Sequence, residues 1–378
     1  MNIKYKVFAT LFNFFRIFPL KSDNVFFIKD KKFDSGNFDF IKKEFDRREN
    51  FQYNSLSKDE YSLDKSNSLF KYIFETLKIF SFFIIKSYKL ARSKYIFLND
   101  NFFPMAYMNF NKEVIIVQLW HAPGAFKRFG LSVIGDNNVK NLIKLSNSKV
   151  KYITVTSKNV SKYYEEAFAV NNNKILALGI PRMDYYFDKK YNSKYKIKNI
   201  KKNFPEIEGK KIVLYTPTFR EDEKRNKNIS DNFDFKLFTE VLGEEYVLFF
   251  RSHPKINTKK NEYSIDVTNY EDVKELLLIA DILITDYSSI MVEYAVLSKP
   301  IIFYPFDLEY YSNEERGFYF DYKNVPGQIA NNTEDIIEII KNEKFDYGKI
   351  KHFVNNSYDF LDDKSSKRIV DYILHSKV

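Results

Sequence analysis

The chain has 378 residues, more than one domain usually contains, so two domains are expected. It contains no cysteine, which excludes disulfides, thiolate metal sites and cysteine nucleophiles, and fits a reducing, cytoplasmic compartment. The formal charge of +10 suits nucleic acid, anionic lipid or a phosphorylated substrate. No arginine-rich arm, zinc pattern or aromatic RNA-binding motif accompanies it, so we expect no nucleic-acid partner.

Two basic and aromatic stretches lie in the N-terminal quarter of the chain. Residues 1–21 combine basic and aromatic residues and contain no acidic residue, and residues 69–94 place Phe and Ile at helical spacing among lysines. Neither stretch is long and uninterrupted enough to predict a transmembrane helix. We expect at least one of them to lie on an anionic membrane surface. The alternative is an ordinary core helix with a charged outer face.

Nine short apolar runs predict strands, and helical patterns separate many of them. The runs are 24–28, 95–98, 114–119, 152–156, 175–178, 212–215, 246–250, 282–284 and 301–304. Strands that alternate with helices indicate parallel sheets covered on both faces. The Lys- and Asn-rich segment 191–211 predicts an interdomain linker. The chain has no Gly-rich nucleotide fingerprint, which disfavours a dehydrogenase or a P-loop enzyme.

Polar clusters follow five of these strands. They are Trp120-His121 with Lys127, Gly179-Ile180-Pro181-Arg182, Thr218 with Arg220, Arg251 with His253, and Thr285-Asp286-Tyr287-Ser288-Ser289. The carboxyl ends of parallel strands share one edge of a sheet, where open α/β domains bind ligands. Arginines, hydroxyls and a helix start share the chemistry of phosphate binding. The alternative is turn chemistry for each cluster, and a helix cap for the two serines.

These clusters, together with Arg316-Gly317-Phe318-Tyr319-Phe320-Asp321, resemble the motif series of the CDP-glycerol glycerophosphotransferases of teichoic acid and capsule synthesis. Order and spacing agree from about residue 93 to residue 322. The form Trp-His-Ala-x-Gly-Ala-x-Lys resembles the branch of the family that includes the primase. Near the N-terminus, the family's Asp-Asn-Pro-Lys motif corresponds only to the degraded Asp34-Ser35-Gly36-Asn37.

The resemblance implies a GT-B fold, in which two Rossmann-like doubly wound domains face each other across a cleft. It implies a peripheral, monotopic enzyme at the cytoplasmic face of the bacterial membrane. The implied reaction moves glycerol phosphate from CDP-glycerol to a hydroxyl of an undecaprenyl-linked saccharide or polymer, and releases CMP. The alternatives are a CDP-ribitol ribitolphosphotransferase and a GT-B nucleotide-sugar glycosyltransferase. We expect no cofactor, although a pyrophosphate donor is able to recruit Mg²⁺.

The expected domains are an acceptor-binding domain at 1–190, the linker, a donor-binding domain at 212–350, and a C-terminal helical segment at 351–378 that packs back on the first domain. His121 is the expected general base, since a histidine titrates near neutral pH, and His253 is expected to donate to a phosphate oxygen. Trp120 and Lys127 are expected on the acceptor side. The residues expected to bind CDP-glycerol are Thr218, Arg220, Arg251, Thr285, Asp286, Ser288, Ser289 and Arg316. For Asp286, a turn-forming role is the alternative.

Overall fold

A computed structural model describes residues 2–30, 36–48, 50–61, 69–222, 226, 229–252 and 261–376. The described strands are β1 (Lys21–Lys29), β2 (Gln52–Ser57), β3 (Ser93–Leu98), β4 (Ile115–Gln118), β5 (Tyr152–Thr154), β6 (Ile175–Leu176), β7 (Lys211–Thr216), β8 (Tyr246–Phe250), β9 (Ile265–Asp266), β10 (Ile282–Thr285), β11 (Ile301–Phe303) and β12 (Gln328–Ile329). The described α-helices are α1 (Asn2–Phe15), α2 (Asn37–Asp46), α3 (Leu69–Ala91), α4 (Asn137–Asn147), α5 (Ser161–Phe168), α6 (Asp184–Phe187), α7 (Lys194–Lys201), α8 (Phe235–Leu242), α9 (Val273–Ile279), α10 (Ile290–Ala295), α11 (Leu308–Tyr310), α12 (Thr333–Lys341), α13 (Tyr347–Ser357) and α14 (Ser365–His375).

The described strands form two sheets of six strands each. The order is β2-β1-β3-β4-β5-β6 in the first sheet and β12-β11-β10-β7-β8-β9 in the second. Every neighbouring pair is parallel. The α/β architecture with parallel sheets, expected from the alternation of strands and helices, is therefore confirmed.

The strand registers bring the predicted polar clusters to one edge of each sheet. In the first sheet, the last residues of β3 and β4 pair directly, Leu98 with Gln118. In the second, Thr285 at the end of β10 pairs with Thr216 at the end of β7. The segments that follow paired strand ends must leave the sheet side by side. The clusters after β4, β7, β8 and β10 therefore lie at carboxyl edges, where parallel sheets bind ligands.

All nine predicted strands are present, and β2, β9 and β12 were not predicted. β2 has the polar sequence Gln-Tyr-Asn-Ser-Leu-Ser, and β9 and β12 have two residues each. Each of the three lies at the edge of its sheet. A strand at an edge needs little apolar surface, so its sequence carries a weak strand signal.

The chain folds into two compact units, and neither is a continuous segment. The first unit contains residues 1–121, 130–184 and 364–378, and the second contains residues 122–129 and 185–363. The expected domain limits, near residues 190 and 350, differ from these. The second unit includes the short segment 122–129, which the sequence placed in the first domain, and residues 351–363, which the sequence placed in the C-terminal segment that packs on the first domain.

The segment 191–211, predicted as a linker, contains α7 in the second unit. Ser193 caps this helix, because its Oγ accepts a hydrogen bond of 3.2 Å from the Lys196 amide. Lys196 Nζ lies 2.8 Å from a carboxylate oxygen of Glu275 on α9. This pair ties the segment to the second unit. The polar composition that suggested a linker belongs to a mostly solvated helix.

The C-terminal helix α14 belongs to the first unit. Its residues Ile369, Val370 and Ile373 are buried in the core formed by the first sheet and α2. Its N-terminus is capped by the buried carboxylate of Asp184, which accepts hydrogen bonds of 2.9 Å from two backbone amides, those of Ser365 and Ser366. The approach is close, because a Cβ at Gly179 (φ +90°) would lie 2.3 Å from Ser365 Oγ.

The two N-terminal basic stretches form α1 and α3 of the first unit. The helices pack through an edge-to-face contact of Phe8 with Phe83, whose ring centroids are 5.3 Å apart. Both also present large apolar side chains to solvent. These are Ile3, Val7, Phe14, Leu77, Phe80 and Ile85, followed just after α1 by Ile17 and Phe18. Among the described residues, no helix has the length and apolar character needed to span a bilayer.

Candidate active site

His121 lies at a sharp corner after β4. The preceding residue, Trp120, has a left-handed backbone with φ +58°, and its amide donates a 3.0 Å hydrogen bond to the side-chain oxygen of Gln118. The Trp120 ring is buried against Phe168 and contacts the His121 ring at 4.3 Å between centroids. Trp120 was expected on the acceptor side, but its buried ring supports the corner. The His121 side chain is exposed to solvent.

The environment of His121 favours a neutral ring with a free basic nitrogen. Its Nδ1 lies 3.3 Å from the carbonyl oxygen of Asn99, and because a carbonyl only accepts, the proton of this contact resides on Nδ1. Nε2 is then the nitrogen able to accept a proton. Although part of the residue is open to solvent, desolvation by the surrounding protein is the main effect on His121 and lowers its pKa. Asp100 and the hydrogen bond to Asn99 raise the pKa, and the positive charge of Arg182 lowers it. The ring can therefore serve as a base at neutral pH.

The residues directly after His121 belong to the second unit. A Cβ at Gly124 (φ +66°) would lie 2.9 Å from Val292 Cγ1 on α10, so the backbone packs tightly against that helix. Lys127 forms an antiparallel β-bridge with Phe318. Lys127 was expected on the acceptor side of the first domain. The structure places it instead in the unit that contains the residues expected to bind the donor.

Lys127 is a half-buried cation with no ion-pair partner among the described carboxylates. Its ammonium lies 5.9 Å from the centre of the Tyr311 ring. Burial lowers the pKa of Lys127 to about 8, and the charges of Arg316 and Arg220 lower it as well, against Asp286 and Glu315. A bound phosphate would supply the missing negative charge and restore the ammonium.

The elbow after β10 is held by buried polar side chains. Thr285 Oγ1 donates a 2.8 Å hydrogen bond to the Thr216 carbonyl, so its hydroxyl links two strands and does not face a ligand. One oxygen of Asp286 accepts from the amides of Thr218 at 2.8 Å and Tyr287 at 2.5 Å. Thr285 and Asp286 were expected to contact CDP-glycerol. Both are buried, and of the contacts of Asp286 only the one to the Tyr287 amide is local, as in a turn.

Arg220 was also expected to bind phosphate, and the structure corrects this expectation. Its guanidinium is fully buried and makes two parallel 2.8 Å hydrogen bonds to Asp307, with another of 2.9 Å to Asp286. A further nitrogen donates to the Thr218 carbonyl at 2.5 Å. Burial would lower the pKa of Arg220, but the two carboxylates outweigh it and raise the pKa above its usual range. Arg220 therefore fixes the elbow from within.

Sequence reasoning missed Asp307, which anchors this network together with the aromatic residues around it. The Tyr287 hydroxyl donates a 2.9 Å hydrogen bond to Asp307. The Tyr287 ring stacks on Tyr311 at 4.0 Å between centroids. The available signal was an acidic residue shortly after the strand β11. That signal is weak, because such a residue is common in a turn.

The two serines of the elbow have different surroundings. Ser288 Oγ accepts a 3.3 Å hydrogen bond from the Ile290 amide, as the capping alternative predicts. Ser289 stands at the N-cap of α10, yet its side chain makes no capping hydrogen bond. Both residues are partly exposed. The Ser289 hydroxyl therefore remains available to a ligand.

Unsatisfied hydroxyls also lie at the ends of β7 and β8. Thr216 Oγ1, Thr218 Oγ1 and Ser252 Oγ are shielded from solvent and have no hydrogen-bond partner among the residues that the structure describes. A buried hydroxyl without a partner costs about 1–3 kcal/mol, so several at one sheet edge indicate a place that a polar ligand completes. Of these residues, only Thr218 was predicted as a ligand contact.

The remaining predicted donor contacts divide into three cases. Arg251 donates from one nitrogen to the carbonyls of Val267 at 2.8 Å and Tyr270 at 2.7 Å, so part of its guanidinium supports a neighbouring loop. Arg316 is exposed, and its nearest carboxylate, that of Glu221, is 3.6 Å away. His253 lies outside the described residues.

In the described part of the chain, no three His, Asp or Glu residues cluster as metal ligands would.

Comparison with known proteins identifies the family. The family model of CDP-Glycerol:Poly(glycerophosphate) glycerophosphotransferase matches residues 10–375. The chain belongs to this family. The match confirms the resemblance carried by the motifs between residues 93 and 322, and it extends over the N-terminal region where the motif at 34–37 is degraded.

Relatives in the family include both polymerases and primases. The teichoic acid poly(ribitol-phosphate) polymerase of Bacillus spizizenii is 35% identical over 98% of this chain, which spans 60% of the length of that relative. The teichoic acid glycerol-phosphate primase of Bacillus subtilis is 34% identical over 77% of this chain and 76% of its own length. The solved structure of a variant of the wall teichoic acid polymerase TagF has a TM-score of 0.80 at 24% identity, covering 98% of this chain and 93% of that one. At that identity, the likeness shows the fold.

The structural assignment of Arg220 leads to a test on a pair of arginines. Arg220→Ala would leave Asp286 and Asp307 buried without a countercharge, and should lower the free energy of unfolding by about 3–5 kcal/mol. Arg316→Ala, at an exposed position in the same unit, should change it by less than about 0.5 kcal/mol. Urea denaturation followed by far-UV circular dichroism measures both. Equal stability of the two variants would contradict a structural role for Arg220.

Proposed function

We propose that the chain is a CDP-alditol phosphotransferase, which moves glycerol phosphate from CDP-glycerol to an acceptor hydroxyl and releases CMP. The observation that carries the proposal is the position of His121 at the ligand edge of a sheet in a chain of this family, with Nδ1 on the Asn99 carbonyl and Nε2 left as the basic nitrogen. An alcohol is a poor nucleophile at neutral pH, and a base whose pKa lies near the operating pH activates it efficiently.

The proposed chemistry is an in-line displacement at the phosphorus that bears the glycerol. The acceptor oxygen forms a bond to this phosphorus, and the bond to the bridging oxygen of CMP breaks. The acceptor proton passes to His121 Nε2, and CMP leaves with the electron pair of the broken bond. His253 is proposed to hydrogen-bond the departing phosphate. The protein mainly positions groups and stabilises developing charge, as is usual for phosphoryl transfer.

The proposed donor contacts are the polar groups of the second unit that the structure leaves available. Lys127 and Arg316 supply positive charge, Thr218 and Ser289 supply hydroxyls, and Arg251 retains donors beyond its two loop contacts. Ser288 is proposed to alternate between capping α10 and contacting phosphate. Arg220, Asp286 and Thr285 are proposed to hold the loops that carry these groups through their own buried hydrogen bonds. The GT-B arrangement, in which His121 faces this donor across a cleft, remains part of the proposal.

Two alditols are candidates for the group that the donor carries. Glycerol phosphate is the first candidate, and the family description and the glycerol-phosphate primase of Bacillus subtilis support it. Ribitol phosphate is the second candidate, because the ribitol-phosphate polymerase of Bacillus spizizenii matches 98% of the chain. A few pocket contacts decide between such donors. A nucleotide-sugar transferase would release a nucleoside diphosphate in place of CMP.

The acceptor is proposed to be a lipid-linked saccharide or polymer at the cytoplasmic face of the membrane, as in teichoic acid or capsule synthesis. Support comes from the exposed apolar side chains along α1 and α3, which lie among basic residues. A helix of this kind binds at the interface of an anionic bilayer without crossing it.

The chemistry is proposed to be independent of metal, and CMP release with and without EDTA tests this.

The role of His121 predicts a large loss of CMP release on substitution. CDP-glycerol and CDP-ribitol are supplied separately with a synthetic lipid-linked acceptor, and CMP and product masses are measured. His121→Ala should lower kcat by about 10²-fold or more, because the acceptor loses its base. His352→Ala removes an exposed histidine whose ring contacts the Asn356 side chain, and should retain wild-type kcat. The proposal fails if the wild-type protein releases no CMP from either donor.

The role of Lys127 predicts a pH dependence. Since its pKa is about 8, the ammonium loses its proton as the pH rises through that value, and the donor phosphate loses a countercharge. For wild-type protein, kcat/KM for the donor should therefore fall above pH 8. Lys127→Met should lower kcat/KM by about tenfold or more at pH 7 and remove this step from the profile. Lys323→Met, at an exposed position in the same unit, is the matched control and should keep the wild-type profile.

The proposed membrane contact is tested by sedimentation with vesicles. Wild-type protein should bind vesicles that contain phosphatidylglycerol and bind pure phosphatidylcholine weakly. Ile3→Ser, Phe14→Ser and Ile17→Ser combined should weaken binding by about tenfold or more, since each removes an exposed apolar side chain. Ile134→Ser changes a side chain that is 90% exposed away from α1 and α3, and should bind like wild type. Unchanged binding of the triple variant would refute the contact.

A further inference from the structure

The left-handed backbone of Trp120 needs an explanation. A bulky residue with φ +58° is uncommon and costs of order 1–3 kcal/mol, so such a conformation persists only where surrounding contacts enforce it. Its position directly before His121 means that this peptide sets the direction in which the imidazole leaves the chain. Whatever holds the Trp120 peptide therefore also holds His121.

The side chain of Asn37 is the group that holds it. Asn37 is the first residue of α2 and is 1% exposed. Its amide nitrogen donates to the Trp120 carbonyl at 2.6 Å and to the side-chain oxygen of Asn99 at 3.0 Å. Its amide oxygen accepts a 3.0 Å hydrogen bond from the backbone nitrogen of Arg182. Both hydrogens of the amide nitrogen and its oxygen are thus in use, and all four residues belong to the first unit.

The same three partners also contact His121. The Asn99 carbonyl lies on the imidazole Nδ1, and Arg182 donates from its guanidinium to the His121 carbonyl at 3.0 Å. Trp120 is its covalent neighbour and ring contact. Asn37 does not touch His121 in any of these contacts. Its side chain instead links Trp120, Asn99 and Arg182, each of which contacts His121.

We infer that Asn37 is a positioning residue for His121, which fixes the ring direction and the Nδ1-protonated tautomer through Trp120, Asn99 and Arg182. The inference rests on the proposed function, in which His121 Nε2 accepts the acceptor proton. It also gives a role to Asn37, the last residue of the degraded segment 34–37. Misdirecting a base by about 1 Å is enough to cost about 10²-fold in rate, so one amide can matter for turnover without contacting substrate.

The substitution Asn37→Asp separates this role from simple packing. The aspartate has nearly the same shape and still accepts from the Arg182 amide. It lacks both amide hydrogens, so a carboxylate would face the oxygens of Trp120 and Asn99. A protonated carboxyl regains one donor. The defect should therefore diminish at low pH, and a residue that acted only by filling space would show no such recovery.

The first experiment measures CMP release by Asn37→Asp. We expect kcat to fall by about 10- to 100-fold at pH 8 with the donor KM changed less than about twofold, and the ratio to wild type to recover as the pH is lowered to 6. In a His121→Ala background, Asn37→Asp should cause less than about twofold further loss. Asn24→Asp, at another buried asparagine in the same unit, is the matched control. Full additivity with His121→Ala, or a loss that is independent of pH, would overturn the inference.

The second experiment does not need activity. Nitrogen-15 NMR of histidine-labelled protein reports the tautomer and pKa of each ring, and the signal lost in His121→Ala identifies His121. Asn37→Asp should shift the His121 signals away from the Nδ1-protonated form, and Asn24→Asp should leave them unchanged. Identical His121 signals in wild type and Asn37→Asp overturn the inference. If Asn37→Asp does not fold, Asn37→Ser, which keeps one donor, should show a smaller change in the same direction.

Loss of the proposed function and loss of this inference give different results. If wild-type protein releases no CMP but the His121 signals respond to Asn37→Asp, the function fails and the positioning contact stands. If CMP release depends on His121 but neither the signals nor kcat respond to Asn37→Asp, the function stands and the positioning role fails.

Discussion

The ligand edge of the second unit depends on one buried charge, the guanidinium of Arg220 between Asp286 and Asp307. These three residues lie beyond three different strands, β7, β10 and β11, so a single group ties together the loops that follow them. A cation with no exposed surface is tolerated only when its hydrogen bonds are satisfied, and here the two carboxylates and the Thr218 carbonyl satisfy them. The loops are thus fixed in place before any ligand arrives.

This arrangement divides the polar residues of the edge into two groups. Those with buried partners, such as Thr285 and Asp286, form the scaffold. Those without a partner in the described part of the chain, such as the Thr218 hydroxyl and the Lys127 ammonium, remain available to a ligand. The first unit shows the same division at its own edge, where Asn37 and Trp120 are buried and His121 is exposed. In both units, rigid buried groups hold a small number of accessible ones.

The sequence was sufficient to predict the parallel α/β architecture, because each buried strand is a short apolar run. It was also sufficient to predict that the polar clusters lie at the carboxyl edges of the sheets. It was insufficient for deciding which polar residue faces outward. Arg220 and Arg316 are the same residue type in comparable loops, and only the three-dimensional packing buries one and exposes the other. Asp307 and Asn37 were missed for a related reason, since their partners lie 87 and 83 residues away in the sequence. The polar edge strand β2 was not predicted, because its pairing with β1, rather than its composition, makes it a strand.

The chain passes between the two units at residues 121/122, 129/130, 184/185 and 363/364, and this has a consequence for how the protein is made. The core of the first unit includes Ile369, Val370 and Ile373, so it cannot close until the ribosome has translated the whole second unit. Until then, the faces of β1, β3 and β4 that α14 covers remain open. The order of synthesis therefore favours early completion of the second unit, and the apolar core of the first unit stays exposed on the nascent chain until α14 is made.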